Sequence, residues 1–205
     1  NRCFALRQGT ERCLVNVLVV KPSSLGDVVH ALPAAALLRA RCPEARISWL
    51  VNSAYAELVE LCNDVDEAIV FRRQRWGRLR HWHELLPFVH ELRQHRFDLV
   101  LDLQGLLRSG LLTFLTGASR RVGFASAREC AGAFYNERVL VPANIVHAVD
   151  RNLFLVQSAL HVEEAVAPSV GGGLRASPDG VKRAELLFKL HGVDTARAIV
   201  AVAPA

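Results

Sequence analysis

The chain has 205 residues, of which 51% are hydrophobic and 22% charged, with 25 basic against 20 acidic side chains and a net charge of +5. That balance excludes an intrinsically disordered or collagen-like polypeptide and suits one large domain, or one domain with part of another. The oiliest stretch, 31–38, is short and broken by Pro33, far from the ~20 apolar residues of a spanning helix, so no membrane crossing is expected.

In chain order, charges at Arg2, Arg7, Glu11 and Arg12 precede an apolar run that ends at Lys21 without a small-residue cleavage site, so no secretory signal is expected. A start at Asn and the absence of Met read as a fragment or a trimmed N-terminus. Residues 15–21 (VNVLVVK) are apolar and β-branched and end at Pro22, the pattern of a buried parallel strand. A helix is expected over 27–41, a strand over 46–51, a helix over 54–62 and a strand over 67–71. A helix over 78–95, which Pro87 must kink or divide, leads to a strong strand at 97–103 (FDLVLDL). An apolar helix at 105–115, short strands at 121–124 and 138–141, and a helix at 147–160 follow. Strands alternating with helices predict an α/β fold, a Rossmann-like, doubly wound and mostly parallel sheet. Residues 165–178, with Gly171–Gly173 and Pro178, have linker composition. A helix at 179–191 and a strand at 198–203 then read as the start of a second domain. The organisation expected is an extension at 1–14, a domain at 15–164, a linker at 165–178 and a truncated second domain at 179–205.

Five cysteines at 3, 13, 42, 62 and 130 are scattered, with no C-x-x-C and no histidine at zinc-ligand spacing. They read as small apolar side chains of a reducing compartment, and no metal is expected. The charge is uneven. Between Phe71 and Arg96 stand seven arginines, at 72, 73, 75, 78, 80, 93 and 96, against Glu84 and Glu91, and the rest of the chain is neutral. Like charges this dense repel unless solvent or an anion screens them, so the run is either a solvated face or an anion site. Trp76 and Trp82 lie in it, but no recognised nucleic-acid motif accompanies them, and no nucleic-acid partner is expected.

The first strand runs into K-P-S-S-L-G-D-V-V-H, which is neither G-x-G-x-x-G nor a Walker A loop. Nicotinamide dinucleotides and P-loop phosphoryl transfer are therefore disfavoured, although the first loop of such a sheet remains the default ligand site. Ser24-x-x-Asp27 has capping-box spacing, and a carboxylate at the mouth of a crevice can equally serve as a general base. His30 follows on the same helical face, either structural or functional. Gln104 of Asp102-Leu-Gln-Gly105 is the residue of that turn best placed to reach a ligand, and His147 and Arg151 share a face at i, i+4. Hydrolase motifs, including a nucleophile elbow and H-E-x-x-H, are missing from the sequence.

Taken together, K-P-S-S-L-G-D-V-V-H-A-L-P-A, D-L-Q-G-L-L-R-S, A-R-E-C-A-G-A-F-Y-N-E-R and H-A-V-D-R-N resemble the N-terminal half of the bacterial lipopolysaccharide heptosyltransferases, glycosyltransferase family 9. The similarity runs from about 15 to 161. It implies a GT-B enzyme of two Rossmann-like halves that transfers heptose from ADP-heptose to a Kdo sugar of the lipid A inner core, with inversion and without an essential metal or other cofactor. It places the general base at Asp27 and the acceptor at Ser23, Ser24, Gly26, His30, Arg72, Arg73, Arg75, Gln104, Arg128, His147 and Arg151, the Ser23–Gly26 loop also facing the donor sugar. The partners implied are Kdo-lipid A, ADP-heptose and the inner face of the cytoplasmic membrane, where the enzyme would sit peripherally. The lysine- and tryptophan-containing motif that follows I-V-A-V-A-P-A in the family lies past Ala205. The main ADP-heptose site is therefore expected in the C-terminal half, and this chain alone is expected to be inactive. The alternative is a non-catalytic module that binds an anionic glycolipid.

Overall fold

The computed structural model describes residues 16–71, 85–162, 173–195 and 197. The expected extension at 1–14, the basic residues 72–80, most of the expected linker and the strand at 198–203 lie outside the described residues. Two compact units divide the chain, 1–174 and 175–205.

In the first unit, strands β1 (Asn16–Val20), β2 (Arg46–Asn52), β3 (Glu67–Phe71), β4 (Leu99–Asp102), β5 (Arg120–Phe124) and β6 (Glu137–Val139) form one sheet of order β3-β2-β1-β4-β5-β6. Every pairing is parallel, with Val20 level with Leu50 on one side and Asp102 on the other. This is the doubly wound order with its reversal between β1 and β4. Helices α1 (Leu25–Arg41), α2 (Ala56–Glu60), α3 (Leu85–Gln94), α4 (Leu107–Leu115) and α5 (Ala148–Ala159) complete the unit.

A strand covered on both faces cannot alternate apolar with polar, and β1 does not: Val17 and Val19 enter one core with α1 and α5, while Leu18 and Val20 enter the other with α3 and α4. All four are fully buried, each worth about 1.5–3 kcal/mol of apolar transfer. Trp49 of β2 is also fully buried, and its Nε1–H is satisfied by the carbonyl of Lys21 at 3.2 Å, which ties the end of β1 to its neighbour.

Element ends differ from the expected ranges where side chains take over the backbone. The segment expected as a helix over 54–62 starts as a 3₁₀ turn, Ser53–Tyr55, because Asn52 Oδ1 accepts the Ala54 N–H, and its α-helical part is only Ala56–Glu60. The strand expected over 97–103 narrows to Leu99–Asp102, since the Asp98 carboxylate accepts the Asn16 N–H and the chain turns after Asp102. Described residues of the helix expected over 78–95 run Leu85–Gln94, with Pro87 in the first described turn.

The second unit contains α6 (Pro178–Leu190), started by Pro178 and by Ser177 Oγ, which accepts the Gly180 N–H at 3.0 Å. None of its residues is buried.

Candidate functional site

In doubly wound sheets the loops diverge at the reversal of strand order and leave a crevice beyond the carboxyl ends. Here the loop after β1 turns one way into α1 and the loop after β4 turns the other way into α4. Between them opens a cleft of about 430 Å³ walled by Lys21, Asp27, His30, Gln104, Arg128 and Arg151, with Phe124 and Asn152 among its remaining lining.

Asp27 stands in the first turn of α1. Its Oδ2 accepts both the N–H and the hydroxyl of Ser24, each at 2.9 Å, so the acid reaches back as the spacing predicts and the serine adds a second bond to the same oxygen. One carboxylate oxygen is thus fixed by the helix start while the side chain still lines the cleft. Capping and exposure to a ligand coexist in one residue. Partial burial pushes this carboxyl up, but the two bonds from Ser24 and the charges of Lys21 and His30 outweigh it and hold it below the ordinary carboxylate value. Asp27 is therefore an ionised acceptor at neutral pH.

Lys21, the residue after β1, is 8% exposed and donates from Nζ to the Leu103 carbonyl at 2.8 Å, bridging the ends of the two strands that border the reversal. Below it Asp102 is fully buried. Its Oδ2 accepts the Tyr135 hydroxyl at 2.7 Å, and its Oδ1 accepts the Gln104 and Gly105 N–H groups at 2.9 and 3.0 Å. Burial pushes the Asp102 carboxyl up against these donors, and burial together with the Asp102 charge pushes the Tyr135 phenol up. Asp102 is a saturated strut that shapes the turn carrying Gln104. Gly105 adopts φ +68°, which favours glycine, and its carbonyl accepts the Arg128 N–H at 2.9 Å. The turn after β4 thereby holds the loop after β5, and with it Arg128, at the cleft wall.

Arg151 of α5 lies over the Phe124 ring at 5.6 Å and donates to Ser126 Oγ at 3.3 Å. Asn152 Nδ2 donates to the His30 carbonyl at 3.3 Å, joining α5 to α1 across the wall. The cleft carries three cationic side chains against one open carboxylate, an arrangement suited to an anionic ligand that presents a hydroxyl.

Of the residues marked in the sequence, Asp27, His30, Gln104, Arg128 and Arg151 converge on this cleft. Ser24 touches it through Asp27, whereas Ser23 and Gly26 belong to the same turn without lining it. His147 sits between two lining residues, with its Nδ1 accepting the Val149 N–H at the start of α5 and its ring 5.7 Å from that of His30. Arg72, Arg73 and Arg75 lie outside the described residues. The sequence reading missed Lys21, Ser126 and Asn152. A charged residue closing an otherwise apolar buried strand was the available signal for Lys21, and an Asn inside the apolar face of α5 the signal for Asn152; Ser126 gave none.

A parallel six-stranded sheet in this order, with its cleft at the reversal, is a Rossmann-like domain, and the solved structures it resembles make it one half of a GT-B fold. Residues 85–204 match glycosyltransferase family 9 (heptosyltransferase), and the chain belongs to that family. It is 35% identical over 153 residues to lipopolysaccharide heptosyltransferase 1 of Pseudomonas aeruginosa, an alignment that takes in 71% of this chain and 43% of the relative. It is 32% identical over 155 residues to the Escherichia coli K12 protein of the same name, across 71% of this chain and 48% of the relative. A solved structure of E. coli heptosyltransferase WaaC with ADP-2-deoxy-2-fluoro heptose superposes with a TM-score of 0.68 at 30% identity, over 77% of this chain and 51% of that one. The chain spans about half the length of the curated relatives it matches. Among the described residues no helix is long and apolar enough to cross a membrane.

Proposed function

We propose that this chain is the acceptor-binding, base-carrying half of an inverting heptosyltransferase that moves heptose from ADP-heptose to a Kdo sugar of the lipid A inner core. The observation that carries the reading is the half-occupied, ionised carboxylate of Asp27 in a cation-lined cleft at the reversal of the sheet. In a single displacement the acceptor hydroxyl oxygen bonds to the anomeric carbon of heptose as the bond from that carbon to the diphosphate breaks. The hydroxyl proton passes to Asp27, and ADP leaves with the electron pair. One carboxylate is enough for such a reaction, in contrast to the paired carboxylates of most glycosidases.

The acceptor carries a carboxylate and phosphates, and Arg128 and Arg151 are disposed to hold them, with His30, His147 and Gln104 at the wall. Arg72, Arg73 and Arg75 are assigned to the same anionic surface on their sequence alone. Most of the ADP-heptose site is assigned to the part of the relatives that this chain does not span. The lipid-borne acceptor places the working enzyme peripherally at the inner face of the cytoplasmic membrane, where each arginine near an anionic surface adds about 1 kcal/mol.

The test is Asp27→Asn in the complete two-domain enzyme. The amide keeps an oxygen for the Ser24 N–H but cannot take a proton. Turnover should fall by about 10²–10⁴-fold, equivalent to roughly 3–5 kcal/mol on the barrier, with acceptor affinity changed far less. Unchanged turnover removes Asp27 as the base.

A further inference from the structure

The outer face of α4 is apolar where a surface helix normally carries charge. Ser109, Gly110, Leu112 and Thr113 turn inward, and Gly110 lies so close to the loop after β5 that an added methyl would stand 3.0 Å from the Ala131 carbonyl oxygen. The outward residues Leu107, Leu111 and Phe114 are 45, 40 and 49% exposed and stand at i, i+4 and i+7, in one line along the helix. A single exposed leucine is ordinary, whereas a line of three with no polar residue in it is not. The neighbouring α3 packs in the same layer against the sheet, and beyond its first turn its exposed positions are His90, Glu91, Arg93 and Gln94. In α4 the one charged residue is Arg108, exposed beside the apolar line.

We propose that this face of α4 is a docking surface for an anionic lipid bilayer, with Leu107, Leu111 and Phe114 entering the boundary between headgroups and acyl chains and the arginines at its flanks meeting headgroup phosphates. The inference deepens the reading of the acceptor as lipid-borne and rests on it for its purpose, though not for its measurement.

Charge and position choose the occupant. Arg108 follows Leu107 at the start of the line. At its other end Arg121 lies over the Phe114 ring at 5.5 Å, and Arg93 donates from Nε to the Leu115 carbonyl at 2.8 Å. Glu129 also meets α4, where its Oε2 accepts the Leu107 N–H at 3.2 Å and so serves the helix start. An apolar line with cationic side chains at both ends is the pattern of a helix lying in the plane of a membrane surface, the arginine stems resting on apolar material while their heads reach phosphate. A second copy of the chain fits less well. Three side chains, each under half exposed, fall far short of the ~800 Å² per partner of a stable interface, and a two-fold contact would set arginine against arginine. The face is also continuous with the cleft. Leu107 stands three residues after Gln104 of the cleft wall, and the carbonyl of Gly105 between them holds the loop that carries Arg128. A bilayer against the start of α4 therefore lies beside the Arg128 wall, where the anionic head of an embedded glycolipid enters.

The experiment is flotation of this chain with vesicles of phosphatidylcholine and phosphatidylglycerol, and with phosphatidylcholine alone, for the parent, the paired variant Leu107→Gln/Leu111→Gln, and Arg108→Glu. Glutamine is a good helix former at exposed positions, and circular dichroism checks the fold of each variant. With the anionic vesicles the paired variant should bind about tenfold more weakly than the parent, and Arg108→Glu should lose a similar factor. A folded paired variant that floats like the parent overturns the proposal, as does a parent that binds neither vesicle or both equally. Sedimentation of the parent as a dimer that the paired variant disperses also overturns it, by showing a self-interface. Should the glutamines unfold the chain, Arg108→Glu decides alone, and unchanged flotation overturns the proposal. In the complete two-domain enzyme the paired variant should raise KM for a vesicle-borne acceptor and leave turnover of a water-soluble, acyl-free acceptor unchanged; an equal effect on both acceptors overturns the docking role. The turnover test of Asp27→Asn is separate. Its failure would remove the base assignment while leaving vesicle binding as measured, and failed flotation would leave the base assignment standing.

Discussion

The two edges of the sheet use the same residue types in opposite ways. At the amino edge every charge described below is spent on structure. Arg39 donates to the Pro43 and Ala45 carbonyls and to Asp66, and Asp66 also accepts the Ile47 N–H. Arg120 makes a two-pronged contact with Glu137, both prongs at 2.7 Å, and reaches the Ala159 carbonyl at 2.8 Å. At the carboxyl edge Asp27 has one oxygen engaged, Gln104 Oε1 is buried without a partner, and Arg128 has no side-chain partner among the described residues. Hydrogen-bonding capacity left open beside a cleft is capacity for a ligand, and charges paired within the fold act as a clamp. Asp102 is the carboxyl-edge exception, saturated like the amino edge because it forms the floor of the cleft rather than its wall.

The comparison breaks most visibly if that floor is disturbed. A methyl group at Gly123 would fall inside the Tyr135 ring, so Gly123→Ala should expel the ring and free the Asp102 carboxylate it holds. Overpacking and an unsatisfied buried acid together should cost about 2–4 kcal/mol in chemical denaturation of this chain. A loss below the error of the measurement would mean that the floor yields and that Asp102 is not a strut.

At the amino edge a smaller effect is expected from Glu137→Gln, which should lower stability by about 1 kcal/mol or less because the pair is partly exposed. Its hydrogen bonds to Arg120, more than the opposing burial, hold the Glu137 carboxyl below its ordinary value of 4.5. A depressed carboxylate stabilises the fold above its unfolded-state value, and that contribution disappears as the pH falls through the folded one. The difference between parent and variant should therefore be constant near neutrality and shrink below about pH 4.5. A difference that grew on acidification would contradict the clamp.

Arg128→Ala should be the least costly to the fold, within about 0.5 kcal/mol, since its side chain holds nothing in place. Calorimetry with an anionic sugar acid should nevertheless show weaker binding, with less dependence on salt than in the parent. If Arg128→Ala destabilises like Gly123→Ala, the distinction between the two edges collapses.

Much of this was legible from residues alone. The uninterrupted apolar run of β1 marked a strand covered on both faces, and its end at Lys21-Pro22 marked the loop where the cleft lies. Asp27 could be singled out because its spacing from Ser24 is local. Asn152 and Ser126 could not, since their roles depend on partners far along the chain: the His30 carbonyl for Asn152 and the Arg151 guanidinium for Ser126. The same holds for Tyr135 and Asp102, which are 33 residues apart and meet because Gly123 leaves room for a ring.

What the sequence by itself determined is the set of elements, the parallel sheet they must build, and the family, because apolar periodicity, turn residues and motif spacing act over a few neighbouring positions. Which charges are spent and which are left open was decided only by the tertiary structure. That depends on how the strand ends bring distant groups within hydrogen-bond reach and on how much water is excluded when they meet.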